Sequence, residues 1–211
     1  MHITCQLPIL YFGTPVVIIS TTNEDETFNL APISSVFWLK WRCVIGIAAS
    51  SKTAENLLKT KECVLNLPSV HEVSGVNDLA LTTGKSNFSE IKRQRGYRYE
   101  KDKFGITGFS PVASLLVNSP RVKECPVQLE AVVKAVHSIG SDDNRIQGHL
   151  LNIELEILKV HVEENLLATG HTDKIDADKW KPLIMSFQHL YGLGDPVVPS
   201  KLAQIPEHLY K

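Results

Sequence analysis

Residues 149–163 constrain the fold most, because their polarity alternates and then changes phase. Ile153, Leu155 and Ile157 are apolar while Asn152, Glu154 and Glu156 are polar. From Leu158 onward the apolar set is Leu158, Val160 and Val162, with Lys159, His161 and Glu163 as its polar partners. A period of two marks a strand with one face in a core, whereas a helix would show 3.6. The change of phase near Ile157 needs one extra residue, which a β-bulge supplies while bending the strand. A long bent strand belongs in a barrel or a sharply coiled sheet. A second run points the same way: Val127, Leu129, Ala131, Val133 and Ala135 alternate with Gln128, Glu130 and Lys134. It predicts a half-buried strand with one wet face.

Shorter strands are expected at 15–22, which is β-branched and ends in a polar turn, and at 62–67, closed by Pro68. Residues 43–49 are nearly all apolar and read as a strand covered on both sides. Helices are few. One is expected over 53–60, with Ser51 as its N-cap and Ala54, Leu57 and Leu58 on its inner side. A weaker one is expected over 70–81, interrupted by Gly75. Residues 84–110 are polar, charged and glycine-containing, and read as a long excursion, a kind of segment that often carries function or contacts. The expectation is one mainly β domain over 1–211, with a few short helices.

Charge narrows the function. Lys plus Arg number 22 and Asp plus Glu 23, which argues against nucleic-acid binding through a phosphate-neutralising surface. The basic cluster from Lys92 to Lys103 alternates with Glu90, Glu100 and Asp102 and reads as a solvated face. Four cysteines without C-x-x-C pairing, and histidines without ligand spacing, predict reduced thiols and no metal. No apolar run approaches the ~20 residues of a membrane span, and no basic stretch precedes an N-terminal apolar one. The expected location is the cytoplasm.

Two segments look like parts of a binding site. In the first, Gly46, Ala48 and Ala49 are small, then Ser50, Ser51, Lys52 and Thr53 lead into a helix. Hydroxyls, an ammonium and free first-turn N–H groups suit a phosphate, although a plain Ser-capped helix has the same sequence. The stretch is one residue short of a P-loop, since Ser51 stands where the second glycine belongs. In the second segment Asn29, Ala31, Pro32, Ser34 and Ser35 combine a proline-stiffened strand with side chains that can bond the polar edge of a heterocycle.

The order of these motifs resembles the flavin reductase-like proteins with an FMN-binding split barrel. Asn29, Ala31, Pro32 and Ser34 are similar to that family's N-x-A-P-x-S. Ser50 to Thr53 with Asn56 are similar to its phosphate turn, and Val64-Leu-Asn66-Leu67 to its V-N-L strand. The likeness continues through Lys103-Phe-Gly-Ile-Thr-Gly108, Ser119-Pro120, Leu129-Glu130-Ala131, Pro182 and Tyr191-Gly-Leu-Gly194, spanning about residues 10–195. One departure stands out. The family's G-D-H is replaced by the run from His137 to Asn144, with His149 beyond it.

The resemblance implies an FMN-binding split β-barrel and a homodimer with non-covalent FMN near the subunit interface. It implies that Ser50, Ser51, Lys52, Thr53 and Asn56 meet the phosphate and ribityl chain. Asn29, Ala31, Pro32, Ser34 and Ser35 would lie beside the isoalloxazine, and His189 and Tyr191 on the substrate side. The implied activity is NAD(P)H-dependent hydride transfer to flavin, with NAD(P)H a transient co-substrate. A non-catalytic FMN electron carrier and a P-loop-like nucleotide hydrolase are the alternatives. Trp38 and Trp41 are the apolar candidates for the dimer surface.

Overall fold

A computed structural model describes residues 1–206 and Leu209. Its central feature is a seven-stranded antiparallel sheet, built from β2 (Val17–Thr22), β3 (Phe28–Ile33), β4 (Val36–Leu39), β5 (Arg42–Ala48), β6 (Glu62–Leu67), β11 (Val127–Ser138) and β12 (Leu150–Val162). The strand order is β3-β2-β6-β11-β12-β5-β4. The two edge strands, β3 and β4, are consecutive in the chain and only Ser34 and Ser35 separate them. A sheet whose opposite edges are joined by two residues has to roll up, which makes it a barrel that is split along that seam.

The bulge forms where the polarity changes phase. Glu130 pairs with Lys159 and Ala131 with Ile157, so Leu158 is the extra residue. A second shift between Val133 and Ala135 leaves Lys134 extra on β11. Together they bend the longest hairpin around the barrel. The interior is filled by alternate residues of these strands, among them Ile19, Cys43, Ile45, Leu65, Ala131, Ile153 and Leu155. Ala54 and Leu57 join them from α1 (Lys52–Thr60), while Leu58 is exposed. Burial pushes the Cys43 thiol up to about 12, so it is an apolar filler rather than a nucleophile.

Four differences from the sequence expectations have physical causes. The strand covered on both faces is β2, since Val17 and Ile19 point inward while Val16 and Ile18 belong to a second core outside the barrel. In β5 the outward residues Val44, Gly46 and Ala48 stay partly or fully exposed. The supposed wet face of β11 is dry at Glu130, which is fully buried beneath residues 113–122. Gly75 does not break its helix: α2 (Val73–Leu79) runs through it after a 3-10 turn at Val70–Glu72. A Cβ on Gly75 would lie 2.3 Å from Phe109 Cζ, so the missing side chain lets the ring pack on the helix.

The segment 84–110 is only partly an excursion. A short parallel pair, β7 (Thr82–Thr83) with β8 (Arg98–Tyr99), anchors it, with α3 (Glu90–Gln94) between them. Beyond β8, α4 (Lys103–Thr107) returns to the molecule, and Phe104 and Phe109 are buried in the second core with Ile18, Leu30, Val76 and Leu79. Two short strands, β9 (Pro111–Val112) and β10 (Arg121–Val122), carry the chain to β11. Asn66 ties the region together, because Nδ2 donates to Ile18 O at 3.0 Å and Oδ1 accepts from Val122 N at 2.8 Å. A separate three-stranded sheet joins β1 (Phe12–Pro15), β13 (Leu183–Ser186) and β14 (His189–Gly192). No helix among the described residues is long and apolar enough to cross a membrane.

Candidate functional site

The fold brings the two suspected segments together at the barrel seam. β3 delivers Asn29 to Ile33, and Ser34 and Ser35 cross the split. From the other side β5 runs out at Ala48 and the chain turns through Ser50 into α1. Gly46 N donates to Ser35 O at 2.8 Å, and a Cβ on Gly46 would stand 3.2 Å from Ser35 Cβ. Asn29 makes the other junction, its Nδ2 donating to Thr53 Oγ1 at 3.0 Å. Asn29 is 2% exposed, and its Oδ1 is buried with no hydrogen-bond partner. An acceptor left unpaired in such a place is uncommon.

Ser51 is the N-cap of α1, with its side chain accepting from Ala54 N at 3.0 Å. The amides of Lys52 and Thr53 open the helix and have no intrahelical acceptor. They and the helix dipole make this turn favourable for an anion. Ser50 is exposed beside it, and Lys52 is half-buried. Lys52 does not wait for an external anion, because its Nζ is 2.6 Å from Glu55 Oε1 one turn along. Glu55 Oε2 meets Lys85 Nζ at 2.7 Å. One carboxylate thus holds two ammonium groups, and Lys52 followed by Lys85 keeps the Glu55 carboxyl below its usual range. The trio carries a net charge of +1.

Thr53 and Asn56 are buried beneath the turn rather than displayed by it. Asn56 Nδ2 donates to Thr21 Oγ1 and to Asn23 Oδ1, each at 2.9 Å. Both residues therefore lock α1 onto the β2–β3 hairpin and set where the free amides point. Ala31, Pro32 and Ser34 are half-buried and Ser35 is exposed. The run that replaces G-D-H covers the end of β11 and the turn after it, and His149 beyond the run touches the site through the backbone: Ala49 N donates to His149 O at 2.9 Å. His189 and Tyr191 lie on β14 with ring centroids 6.5 Å apart. Among the described residues no hydrogen bond joins either of them to residues 29–35 or 50–56.

Sequence reasoning missed Glu55, Gly84 and Lys85, and met Lys103 only as part of the family likeness and of the basic cluster. Gly84 packs so closely that a Cβ there would be 2.6 Å from Asn29 Oδ1 and 3.1 Å from Lys52 Cγ. Lys103 is 3% exposed, and its Nζ donates to Leu30 O at 2.8 Å on the free edge of β3. Burial lowers its pKa to about 8. Of Glu55, Gly84 and Lys85, the glycine alone left a signal, in Thr83-Gly84-Lys85, and that is too short to read alone. No three His, Cys, Asp or Glu side chains gather as a metal site among the described residues.

Comparison with known proteins bears on the family and the fold. Residues 9–194 match the family model described as "Flavin reductase like domain". A protein of Bacillus subtilis (strain 168), described as uncharacterized protein YdfE, is 34% identical over 189 residues, covering 90% of this chain and 88% of that one. The flavoredoxin of Desulfovibrio vulgaris (Miyazaki F) superposes with a TM-score of 0.76 at 18% identity, over 97% of this chain and 100% of that one. A split barrel domain protein of Shewanella frigidimarina NCIMB 400 superposes with a TM-score of 0.69, also at 18% identity, over 89% of this chain and 85% of that one.

Proposed function

The chain belongs to the flavin reductase-like family, and from that premise we propose that it binds FMN without a covalent link and catalyses NAD(P)H-dependent hydride transfer to flavin. The observation that carries this reading is the Asn29–Thr53 hydrogen bond of 3.0 Å, which joins the two site segments across the seam. The residues fit the group: an unpaired buried acceptor at Asn29, a small-residue wall at Gly46 and Ala48, and an open helix start beside an ammonium. Bound flavin supplies the redox chemistry, so the protein's part is position and electrostatics.

In this reading Ser50, Ser51, Lys52 and the first-turn amides hold the phosphate. Thr53 and Asn56 act from below by fixing α1. Asn29 bonds a hydroxyl or ring N–H through its free Oδ1, and Ala31, Pro32, Ser34 and Ser35 border the ring. The exposed Ser35 and Ala48 leave room for a nicotinamide that stacks transiently. A homodimer is part of the same proposal. Edge strand β4 exposes Phe37 and Leu39, and Trp41 just beyond is 60% exposed, whereas Trp38 packs against the barrel core and is withdrawn from that surface. The nucleotide-hydrolase alternative loses its basis, since a P-loop needs a parallel sheet and this sheet is antiparallel.

The test is a pair of titrations followed by reduction. FMN should bind more tightly than riboflavin, and Lys52→Ala should weaken FMN alone. A charge-assisted hydrogen bond contributes ~1.5–3 kcal/mol, about ten- to a hundredfold in affinity. Equal affinity for the two flavins in the wild type would remove the phosphate assignment. Anaerobic NADH or NADPH should then bleach the flavin absorption; bound flavin that neither reduces would leave an electron carrier.

A further inference from the structure

Lys103 is a buried charge without a counter-ion: it is 3% exposed and forms no ion pair among the described residues. It opens α4, and Phe104 beside it is buried in the second core. Its Nζ has one acceptor among the described residues, Leu30 O at 2.8 Å on the free edge of β3. Glu100 is the carboxylate that acts on the ammonium, and Lys92 opposes it with the larger effect. With a pKa of about 8, the group is charged at pH 7. An ammonium taken out of water without a carboxylate is costly. A neutral amide could satisfy the same edge carbonyl, so the charge itself needs a reason.

We propose that Lys103 favours the reduced flavin, by fixing a positive charge behind β3 where negative charge arrives on the ring. The proposal rests on the reading of residues 31–35 as the border of that ring. Leu30 lies between Asn29 and Ala31, so the carbonyl that Lys103 holds belongs to the peptide leading into the ring-bordering run. Hydride transfer breaks a nicotinamide C–H bond and forms a flavin N–H bond. The electron pair moves with it, so the nicotinamide becomes cationic and the neutral ring becomes anionic at neutral pH. A charge set in advance where charge develops stabilises both the product and the transition state that leads to it. The other cations beside the site are engaged: Lys52 and Lys85 share Glu55, and Lys52 serves the phosphate in this reading. Lys103 is left for the ring. Its burial keeps water and salt from screening its field. It acts across the Leu30 peptide and not by contact, which makes it a positioning residue.

The midpoint potential of bound FMN, measured by spectroelectrochemistry on the full chain at pH 7, reports the ratio of affinities for reduced and oxidised flavin. Lys103→Gln keeps an N–H donor for Leu30 O and removes the charge. It should change the affinity for oxidised FMN less than threefold and weaken reduced FMN at least tenfold, which lowers the potential by about 30 mV or more for a two-electron couple. Lys103→Met lacks the donor as well and should give the same fall; it carries the test if the glutamine variant does not fold. Lys103→Arg keeps the charge and should hold the ratio within threefold of wild type. A purely structural role predicts a different pattern, with the glutamine variant like wild type and methionine alone altered. That pattern, a ratio unchanged in both neutral variants, or an arginine variant that falls as far as glutamine overturns the proposal. Wild-type protein that binds no FMN overturns the flavin reading itself, whereas bound FMN with a potential indifferent to the charge overturns this inference alone.

Discussion

Replacing Glu130 by glutamine keeps the volume and removes one charge and one acceptor from the middle of β11. Glu130 is fully buried, and its carboxylate has three partners. Oε1 accepts from Leu115 N at 2.9 Å and meets His161 Nε2 at 2.7 Å, while Oε2 accepts from Leu116 N at 2.6 Å. A glutamine amide placed either way turns its NH₂ toward one of the two backbone N–H groups. That donor then loses its acceptor, which costs about 1–3 kcal/mol, and the remaining bonds lose their charge assistance, roughly another 1 kcal/mol. The expected destabilisation is about 3 kcal/mol, or roughly 6–12 °C in Tm for a domain of this size. Acid should erase the difference. Burial pushes the Glu130 carboxyl up, but the Leu115 amide, His161 and the Leu116 amide outweigh it, and the net shift is below 4.5. A depressed folded-state pKa gives stability that is present above the unfolded value and lost as pH falls through the folded one. Urea unfolding of both proteins from pH 7 to pH 3 should show the gap closing in that acidic window. A gap under 1 kcal/mol at pH 7, or one unchanged in acid, would refute the reasoning.

Gly75→Ala should destabilise by about 1–3 kcal/mol, because its Cβ meets the buried Phe109 ring at 2.3 Å; thermal melts should show the loss, with much of it recovered in a Phe109→Leu background, and a neutral result sinks the packing argument. Lys103 binds fewer protons folded than unfolded between pH 8 and 10.5, so wild-type stability should rise across that interval by about 3 kcal/mol at most, relative to Lys103→Met; parallel pH curves for the two proteins would contradict it. Sedimentation of FMN-loaded protein at micromolar concentration should give a dimer, and Phe37→Lys with Leu39→Lys should give a folded monomer; a wild-type monomer or a variant dimer counts against the β4 surface.

The barrel was readable where one physical rule governed a long stretch. In β12 alternate residues share a face, so the extra Leu158 inverts the polarity pattern over the second half and becomes visible in the sequence, although Val160 there is 39% exposed. Glu130 shows where the same rule misleads. A charged residue at an alternate position signals water, yet the cover here is a loop without periodicity, docked through two backbone amides. Gly75 misleads similarly, because helix propensity registers the cost of glycine but not the ring that fills its place. The returning half of residues 84–110 was hidden for a related reason: Phe104 and Phe109 are isolated aromatics among polar residues, and only the outer face of β2 and β3 explains them.

The site divides along the same line. Residues 50–53 were recognisable from chemistry, since hydroxyls and an ammonium at a helix start suit an anion, but their union with residues 29–35 came only from resemblance. No local rule pairs Asn29 with Thr53; the seam of the barrel does. Lys52 illustrates the limit most directly. Alone, a lysine in the first turn of a helix opposes the dipole and suggests an external anion. In the fold Glu55 answers it internally, and by binding Lys85 as well leaves one unit of positive charge uncompensated. Two lysines sharing one carboxylate keep the turn stable without a ligand, yet leave it attractive to an arriving phosphate. A stronger internal pairing, one carboxylate for each lysine, would hold the helix start as well and cancel that attraction.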